Sequence, residues 1–190
     1  MSARDVIRTL SWVILLLLCA CGDGQELGEA LACKRGATVT VTTAPQRDIC
    51  TSVRQAVVID TDRRDLTLCR KGRAMARYTV AIGYGGADKR REGDGKTPLG
   101  RYRLDAPRAS AAGFHRFIPI GYPTTEQRRG GYTGGDVGIH GPTRKARWAG
   151  TTLNTALDWT RGCVAVGSDR EIEAIEAWIR RHHVREVVIR

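Results

Sequence analysis

The sequence contains little that could bind a metal ion. It has four histidines among 190 residues, and none of its six cysteines forms a pair at the spacing of a zinc site. We therefore predict no metal site. A phosphate-binding loop is excluded as well. Gly95-Lys96-Thr97 matches the last three residues of that motif. However, the first glycine of the motif would fall at Arg90, and the helix that must follow cannot run through Pro98.

The sequence also lacks an apolar stretch long enough for a comfortable membrane span. Its main apolar run, Leu10 to Leu18, is interrupted by Ser11 and follows Arg4 and Arg8. A short apolar core behind basic residues is typical of a secretory signal peptide. We expect residues 1–20 to be this signal and the protein to be exported.

The signal region ends in a motif that suggests a lipid anchor. Leu18-Cys19-Ala20-Cys21 resembles the lipobox of bacterial lipoproteins. The resemblance implies that Cys21 carries the lipid and ties the protein to a membrane on the periplasmic side of the cell envelope. Gly22 at the next position is compatible with sorting to the outer membrane. An uncleaved signal anchor and cleavage without lipid are the alternatives.

The composition excludes wholesale disorder and allows one compact domain. Hydrophobic residues make up 42% of the chain and charged residues 27%, as in globular proteins, and there is no internal repeat or low-complexity tract. The net charge of +11 suggests an anionic partner. Export argues against nucleic acid, for which the sequence has no motif, so we predict none as a partner.

Three cysteines remain for pairing once the two in the signal region and Cys163, discussed below, are set aside. They are Cys33, Cys50 and Cys69. In an oxidising compartment we expect Cys33 to pair with Cys50, which would stabilise the fold by about 3 kcal/mol. Cys69 would then be unpaired. The alternative is that all three stay reduced.

The pattern from Gln55 onward predicts a mainly β domain, after a tether over residues 21–54. The apolar residues 57–59 precede a polar turn, and Leu66 and Leu68 follow it, which indicates a hairpin. From Ala74 to Ile82 apolar and polar residues alternate, which predicts a strand with one face on the core. Further short strands are predicted over residues 102–104, 114–122, 136–140 and 184–189.

One helix is predicted, and one long surface loop. Ser168 and Glu171 form a capping-box pattern, and the apolar residues from Ile172 to Ile179 recur at helical spacing. The glycine-rich and charged stretch from Gly83 to Gly100 predicts the loop.

Cys163 is the best candidate for a nucleophile. A thiol reacts as its thiolate and needs a nearby base or positive charge to supply it. His140 ends a predicted strand, and Arg161 lies two residues before Cys163. Gly162 between them allows a sharp turn that can point backbone N–H groups at an oxyanion. We therefore expect the chain to fold so that His140 meets Cys163.

These residues carry a family resemblance. Ile139-His140-Gly141 and Thr160-Arg161-Gly162-Cys163-Val164 resemble the signature of the L,D-transpeptidase (YkuD-like) catalytic domain. Similar blocks occur at residues 57–60, 96–102 and 134–137, so the resemblance covers about residues 55 to 180. It implies a catalytic domain over 55–190 that is a β-sandwich or barrel with one helix after Cys163.

The resemblance also implies the catalytic roles. Cys163 would be the nucleophile, His140 its base, and the backbone carbonyl of Gly141 the group that orients the imidazole. The amides of Gly162 and Cys163 would bind the oxyanion. No cofactor is implied.

Substrate contacts are implied for four positions, namely Thr160, Arg161, Gly162 and Tyr122. Arg161 stands where many members have a second histidine, and Ala165 where many have Asn or Arg. The run Cys163-Val164-Ala165-Val166, with Phe114 to Pro123 upstream, is similar to a branch that includes murein L,D-endopeptidases.

The implied activity is acyl transfer on peptidoglycan stem peptides. An acyl-enzyme on Cys163 would be transferred to an amine by a transpeptidase, or to water by an endopeptidase or carboxypeptidase. A lipoprotein that binds peptidoglycan without catalysis is the remaining alternative.

Overall fold

The structure is a computed structural model that describes residues 49–110 and 113–190. The predicted signal peptide, the lipidation site Cys21, Cys33 and most of the predicted tether lie outside the described residues. Within the described part of the chain, no helix combines the length and apolar character needed to cross a membrane.

The described residues form one curled mixed sheet of eight strands, as the mainly β prediction requires. Its spatial order is β4-β8-β1-β2-β3-β7-β6-β5. Strands β1, β2 and β3 form an antiparallel meander, whereas β8 joins β1, and β7 joins β6, in parallel. The strands are β1 (Gln55–Asp60), β2 (Asp65–Arg70), β3 (Arg73–Ala81), β4 (Gly100–Arg103), β5 (Phe117–Pro119), β6 (Gly138–His140), β7 (Val164–Val166) and β8 (Glu186–Ile189).

The meander confirms the predicted hairpin and strand, with one correction. Ala76 and Tyr78 pack against the core as expected, but Ala74 is exposed. The pairing of β2 with β3 explains this, because Leu68 faces Ala76 while Cys69 faces Ala74. One residue of β3 is thus extra, and such a bulge reverses the alternation of faces beyond it.

The predicted helix is α3 (Asp169–His182). Ser168 and Glu171 make both hydrogen bonds of the capping box, and three buried isoleucines, Ile172, Ile175 and Ile179, pack on the sheet. Three shorter segments were not predicted, because one or two turns are too short to show a helical period. They are α1 (Thr125–Arg129), a 3-10 helix (Arg144–Ala149) and α2 (Gly150–Asn154).

A second, smaller core covers the opposite face of the sheet. Ile49, Cys50 and Val53 are buried against Ala56 and Val58 of β1. The packed part of the chain therefore begins before Gln55, inside the segment predicted to be tether. The compact unit Ala44–Arg190 contains both cores.

The disulfide prediction is wrong. Cys50 is bonded to Cys69, not to Cys33, with 19 residues of sequence separation. The reason is tertiary. Cys69 points to the small core on the far side of β2, where the segment carrying Cys50 crosses it.

Candidate active site

Two neighbouring parallel strands bring His140 and Cys163 to one place. His140 ends β6, and the register that pairs Ile139 with Val164 sets Cys163, which immediately precedes β7, beside Gly138. Both side chains line the same cleft, whose volume is about 680 Å³. His140 and Cys163 are far apart in sequence, and the pairing of β6 with β7 brings them close together in space.

The imidazole of His140 is held in one tautomer. Its Nδ1 lies 2.7 Å from the carbonyl oxygen of Gly141, as the resemblance implies. A carbonyl oxygen can only accept, so Nδ1 carries the proton and Nε2 keeps its lone pair. A neutral His140 is therefore set to act as a base through Nε2.

Aromatic rings cover His140. Phe114 stacks on the imidazole with ring centroids 3.7 Å apart and planes within 12°, while Trp159 and Phe117 lie at 5.7 and 6.3 Å. Burial lowers the pKa of His140 to about 4, although the hydrogen bond to Gly141 raises it. The imidazole is thus neutral at pH 7.

The thiol of Cys163 is the one free cysteine in the described part of the chain. Burial raises its pKa, and the Asp136 carboxylate adds to this, whereas a hydrogen bond from the Gly138 backbone and the Lys89 ammonium lower it. The sulfur lies 3.6 Å from the Asp136 carbonyl oxygen. The imidazole and the thiol therefore both rest neutral near pH 7.

Thr160 organises the loop that presents Cys163. Its hydroxyl donates to the carbonyl oxygen of Cys163 at 2.7 Å and accepts from the Gly162 amide at 3.1 Å. Thr160 lines the cleft, where a substrate contact was predicted, but both hydrogen bonds of its hydroxyl lie inside the loop. Gly162 has φ 126°, and a Cβ there would meet the Lys96 carbonyl oxygen at 2.5 Å. No other residue fits this position without a shift.

The same bonds correct the predicted oxyanion hole. Because the Gly162 amide donates to Thr160, it does not point freely at the cleft. Of the two predicted donors, this leaves the amide of Cys163.

The long connection between β6 and β7 is anchored at two points. The Arg64 side chain binds both carboxylate oxygens of Asp158 at 2.6 to 3.0 Å, and Asp158 also accepts from the Ile82 amide. Asn154 donates to the carbonyl oxygens of Ala146 and Gly167. These bonds fix the chain immediately before Trp159 and the cysteine loop.

Comparison with known proteins agrees with this geometry. The sequence profile of the YkuD family, the L,D-transpeptidase catalytic domain, matches residues 54–189. The chain belongs to this L,D-transpeptidase family. Its members are cysteine enzymes that modify peptidoglycan. No curated protein sequence matches the chain.

Solved structures share the fold. Pgp2, the helical cell shape determining protein of Campylobacter jejuni, is 22% identical with a TM-score of 0.60, over 76% of this chain and 51% of Pgp2. Bd1075 of Bdellovibrio bacteriovorus is 21% identical with a TM-score of 0.50, over 72% of this chain and 48% of Bd1075. The L,D-transpeptidase domain described here thus spans about half the length of each.

Tyr122 is not at the site of this L,D-transpeptidase domain. Its side chain is buried, and its hydroxyl donates to the backbone carbonyls of Lys89 and Thr133 at 3.2 and 3.4 Å. Burial, with a smaller effect of Asp94, raises its pKa to about 12. Tyr122 is not among the residues that line the cleft, so the geometry gives the predicted substrate contact no support.

Arg161 lies where the cleft meets a second cavity of about 450 Å³. It is exposed and lines both, as does Asp136. Lys89 lines the second cavity, and its buried ammonium binds Asp94 at 2.7 Å. Nothing in the sequence separates Lys89 from the other basic residues, so its place was not predictable. Across residues 49–110 and 113–190, no cluster of His, Cys, Asp or Glu could hold a metal ion.

Phe114 is the other site residue that the sequence analysis missed. Phe114 forms a β-bridge with Thr143, and Phe117 forms one with Arg108. A hydrogen bond between His115 and Glu173 and an ion pair between Arg116 and Glu176 hold the residues after Phe114 on α3. Its only signals were its place in a predicted strand, which is shorter than expected, and its place in the stretch from Phe114 to Pro123 that resembles the endopeptidase branch.

Proposed function

We propose that this domain is a peptidoglycan L,D-transpeptidase that works through an acyl-enzyme on Cys163. The observation that carries the proposal is that a neutral His140, with Nε2 as its free basic atom, lines the same cleft as the only free thiol of the described residues. A thiol beside an oriented neutral imidazole is the arrangement for nucleophilic acyl transfer.

The first half-reaction forms a thioester. The Cys163 sulfur attacks the carbonyl at the L centre of the third stem residue, typically diaminopimelate, while its proton passes to His140 Nε2. The Cys163 amide stabilises the oxyanion. The intermediate collapses with cleavage of the C–N bond, and Nε2 returns the proton to the leaving amine.

The second half-reaction releases the enzyme. An acceptor amine attacks the thioester carbonyl and gives a proton to Nε2, the C–S bond breaks, and the thiolate regains that proton. Open space on both sides of Arg161 supports an amine acceptor as well as a donor. If water takes the acceptor's place, the same chemistry makes the enzyme an L,D-endopeptidase or carboxypeptidase, which is the second candidate.

A non-catalytic binder is the weaker alternative. Its support was Ala165, which stands where many members have a polar residue. In this chain Ala165 is fully buried in β7, and it is not among the residues that line the cleft. A contact with substrate is therefore not lost through this replacement.

The proposed setting is the periplasmic side of the cell envelope, with a lipid on Cys21 as the anchor. The stem peptides carry carboxylates, and the net charge of +11 favours such a polymer. The anchor itself is testable, because mass spectrometry of the mature protein would find the lipid on Cys21 or find another N-terminus.

The deciding assay incubates residues 44–190 with tetrapeptide muropeptides and an amine acceptor. We expect a crosslinked product in which the acceptor amine is joined to the third stem residue. Tripeptide alone would show the hydrolase. Cys163→Ala is the matched control and should abolish both products, and undiminished product from this variant would contradict the mechanism.

A further inference from the structure

The connection between β6 and β7 exposes an unusual amount of apolar surface. Seven large hydrophobic side chains are exposed among the described residues. Four of them lie inside this connection, in the twelve-residue stretch 148–159. Trp148 is 84% exposed, Leu153 64% and Leu157 77%, while Trp159 is 36% exposed and turns into the cleft. We call Trp148, Leu153 and Leu157 the apolar patch.

The fold holds the apolar patch in place. Trp148 lies in the last turn of the 3-10 helix and Leu153 lies in α2. The side chain of buried Asn154 ties these two helical segments together through its hydrogen bond to Ala146. The Trp159 indole donates to the Asn154 carbonyl oxygen, which fixes the chain after Leu157. Large apolar groups that a rigid segment presents to water mark an interaction site.

The segment that carries the patch has basic side chains and no acidic residue of its own. No acidic residue occurs from Gly141 to Leu157, and Asp158 is neutralised by Arg64. Arg144 and Lys145 are exposed, and neither forms an ion pair with any residue in the described ranges. Two acidic residues of α3 do meet this segment, since Asp169 binds Arg147 at 2.8 Å and Glu171 accepts from Thr151 at 3.0 Å. The positive charge left beside the patch is therefore that of Arg144 and Lys145.

We propose that the apolar patch docks on the surface of an anionic phospholipid bilayer. Leucine side chains offer no hydrogen bond to a sugar, whereas they enter the acyl region of a membrane readily. An indole sits well at the headgroup boundary, and basic side chains beside it attract anionic lipids. The net charge of +11 acts in the same direction.

Docking would hold the catalytic cleft next to the membrane. Trp159 follows the patch and lines the cleft with Arg161, so the cleft opens beside the docked surface. This contact does not involve the thiol, and Cys163→Ala should bind membranes like the parent protein. The inference can therefore fail while the acyl-transfer proposal stands, and the reverse.

The test uses residues 44–190, which contain both cores and the disulfide and lack the predicted anchor. We expect cosedimentation with vesicles of phosphatidylethanolamine and phosphatidylglycerol and little with phosphatidylcholine vesicles. Combining Trp148→Ser, Leu153→Ser and Leu157→Ser should weaken partitioning by about tenfold per side chain. Combining Arg144→Gln and Lys145→Gln should weaken it by about tenfold or more.

Matched variants elsewhere on the surface serve as controls. Met75 is 55% exposed on β3, so Met75→Ser removes a comparable apolar group. Combining Arg128→Gln and Arg129→Gln removes two exposed charges on α1. Both controls should bind vesicles like the parent, and circular dichroism should show every variant folded.

Three results would overturn the inference. They are no binding to the anionic vesicles, equal binding by the patch variant, and equal loss in the Met75 control. Binding to isolated cell-wall sacculi tests the competing occupant, the wall polymer. If the patch variant loses sacculus binding while the parent ignores vesicles, the occupant is the wall polymer and the membrane proposal is wrong.

Discussion

Removing the ring of Phe114 should make His140 easier to protonate. The stacked ring, 3.7 Å from the imidazole, covers one face of a side chain that is 1% exposed. Burial is the main reason why the pKa of His140 lies at about 4 rather than 6.5. Phe114→Ala admits water to that face while Trp159 and Phe117 stay, so we expect the proton affinity to rise about tenfold.

The sign of the pH effect follows directly. Activity needs the neutral imidazole, so the parent protein should keep its base form until the pH falls towards about 4. In Phe114→Ala the acid limb of kcat/KM should move upwards, with most loss in mildly acidic buffer and least at neutral pH. The assay is the pH profile of kcat/KM together with an NMR titration of the His140 ring.

A matched variant distinguishes the burial of the His140 imidazole by a ring from other effects of changing Phe114. Phe114→Tyr keeps a ring over the imidazole and should leave the acid limb in place. If Phe114→Ala is folded and its limb coincides with that of the parent, burial by this ring does not set the pKa of His140, and the reasoning is refuted.

Further predictions concern the loop, the buried tyrosine and the disulfide. Thr160→Val should lower stability by about 1–3 kcal/mol and slow alkylation of Cys163, because two loop hydrogen bonds are lost; parental rates would contradict this. Tyr122→Phe should cost about 1 kcal/mol in urea unfolding and leave kcat intact; a selective loss of kcat would restore it to the site. Cys69→Ser should cost about 3 kcal/mol, with no further loss on adding reductant; a further loss would mean another disulfide.

Local signals in the sequence account for the parts of the fold that were predicted. The hairpin of β1 and β2 shows as two apolar runs around a polar turn, and α3 shows as a capping box followed by a helical period. Both depend on neighbours in sequence. The bulge in β3 does not, because it exists only in the pairing with β2, and so the exposure of Ala74 was missed.

The site also has features that the sequence predicts and features that it does not. His140 and Cys163 were predictable as residues because each sits in a glycine-flanked block, and the parallel pairing of β6 with β7 explains their shared cleft. The partners of polar groups were not predictable. The Gly162 amide bonds within its loop, and the Tyr122 hydroxyl bonds to backbone carbonyls. Such choices depend on which acceptors the fold brings near.

The most direct test of the account is the acylation of Cys163 with and without its base. Residues 44–190 are mixed with a tetrapeptide muropeptide, quenched rapidly and measured by intact-mass spectrometry. We predict a thioester adduct that maps to Cys163, is absent in Cys163→Ala, and forms about 10²–10⁴-fold more slowly in His140→Gln. Acylation of His140→Gln at the parental rate would contradict the claim that this imidazole takes the proton of Cys163.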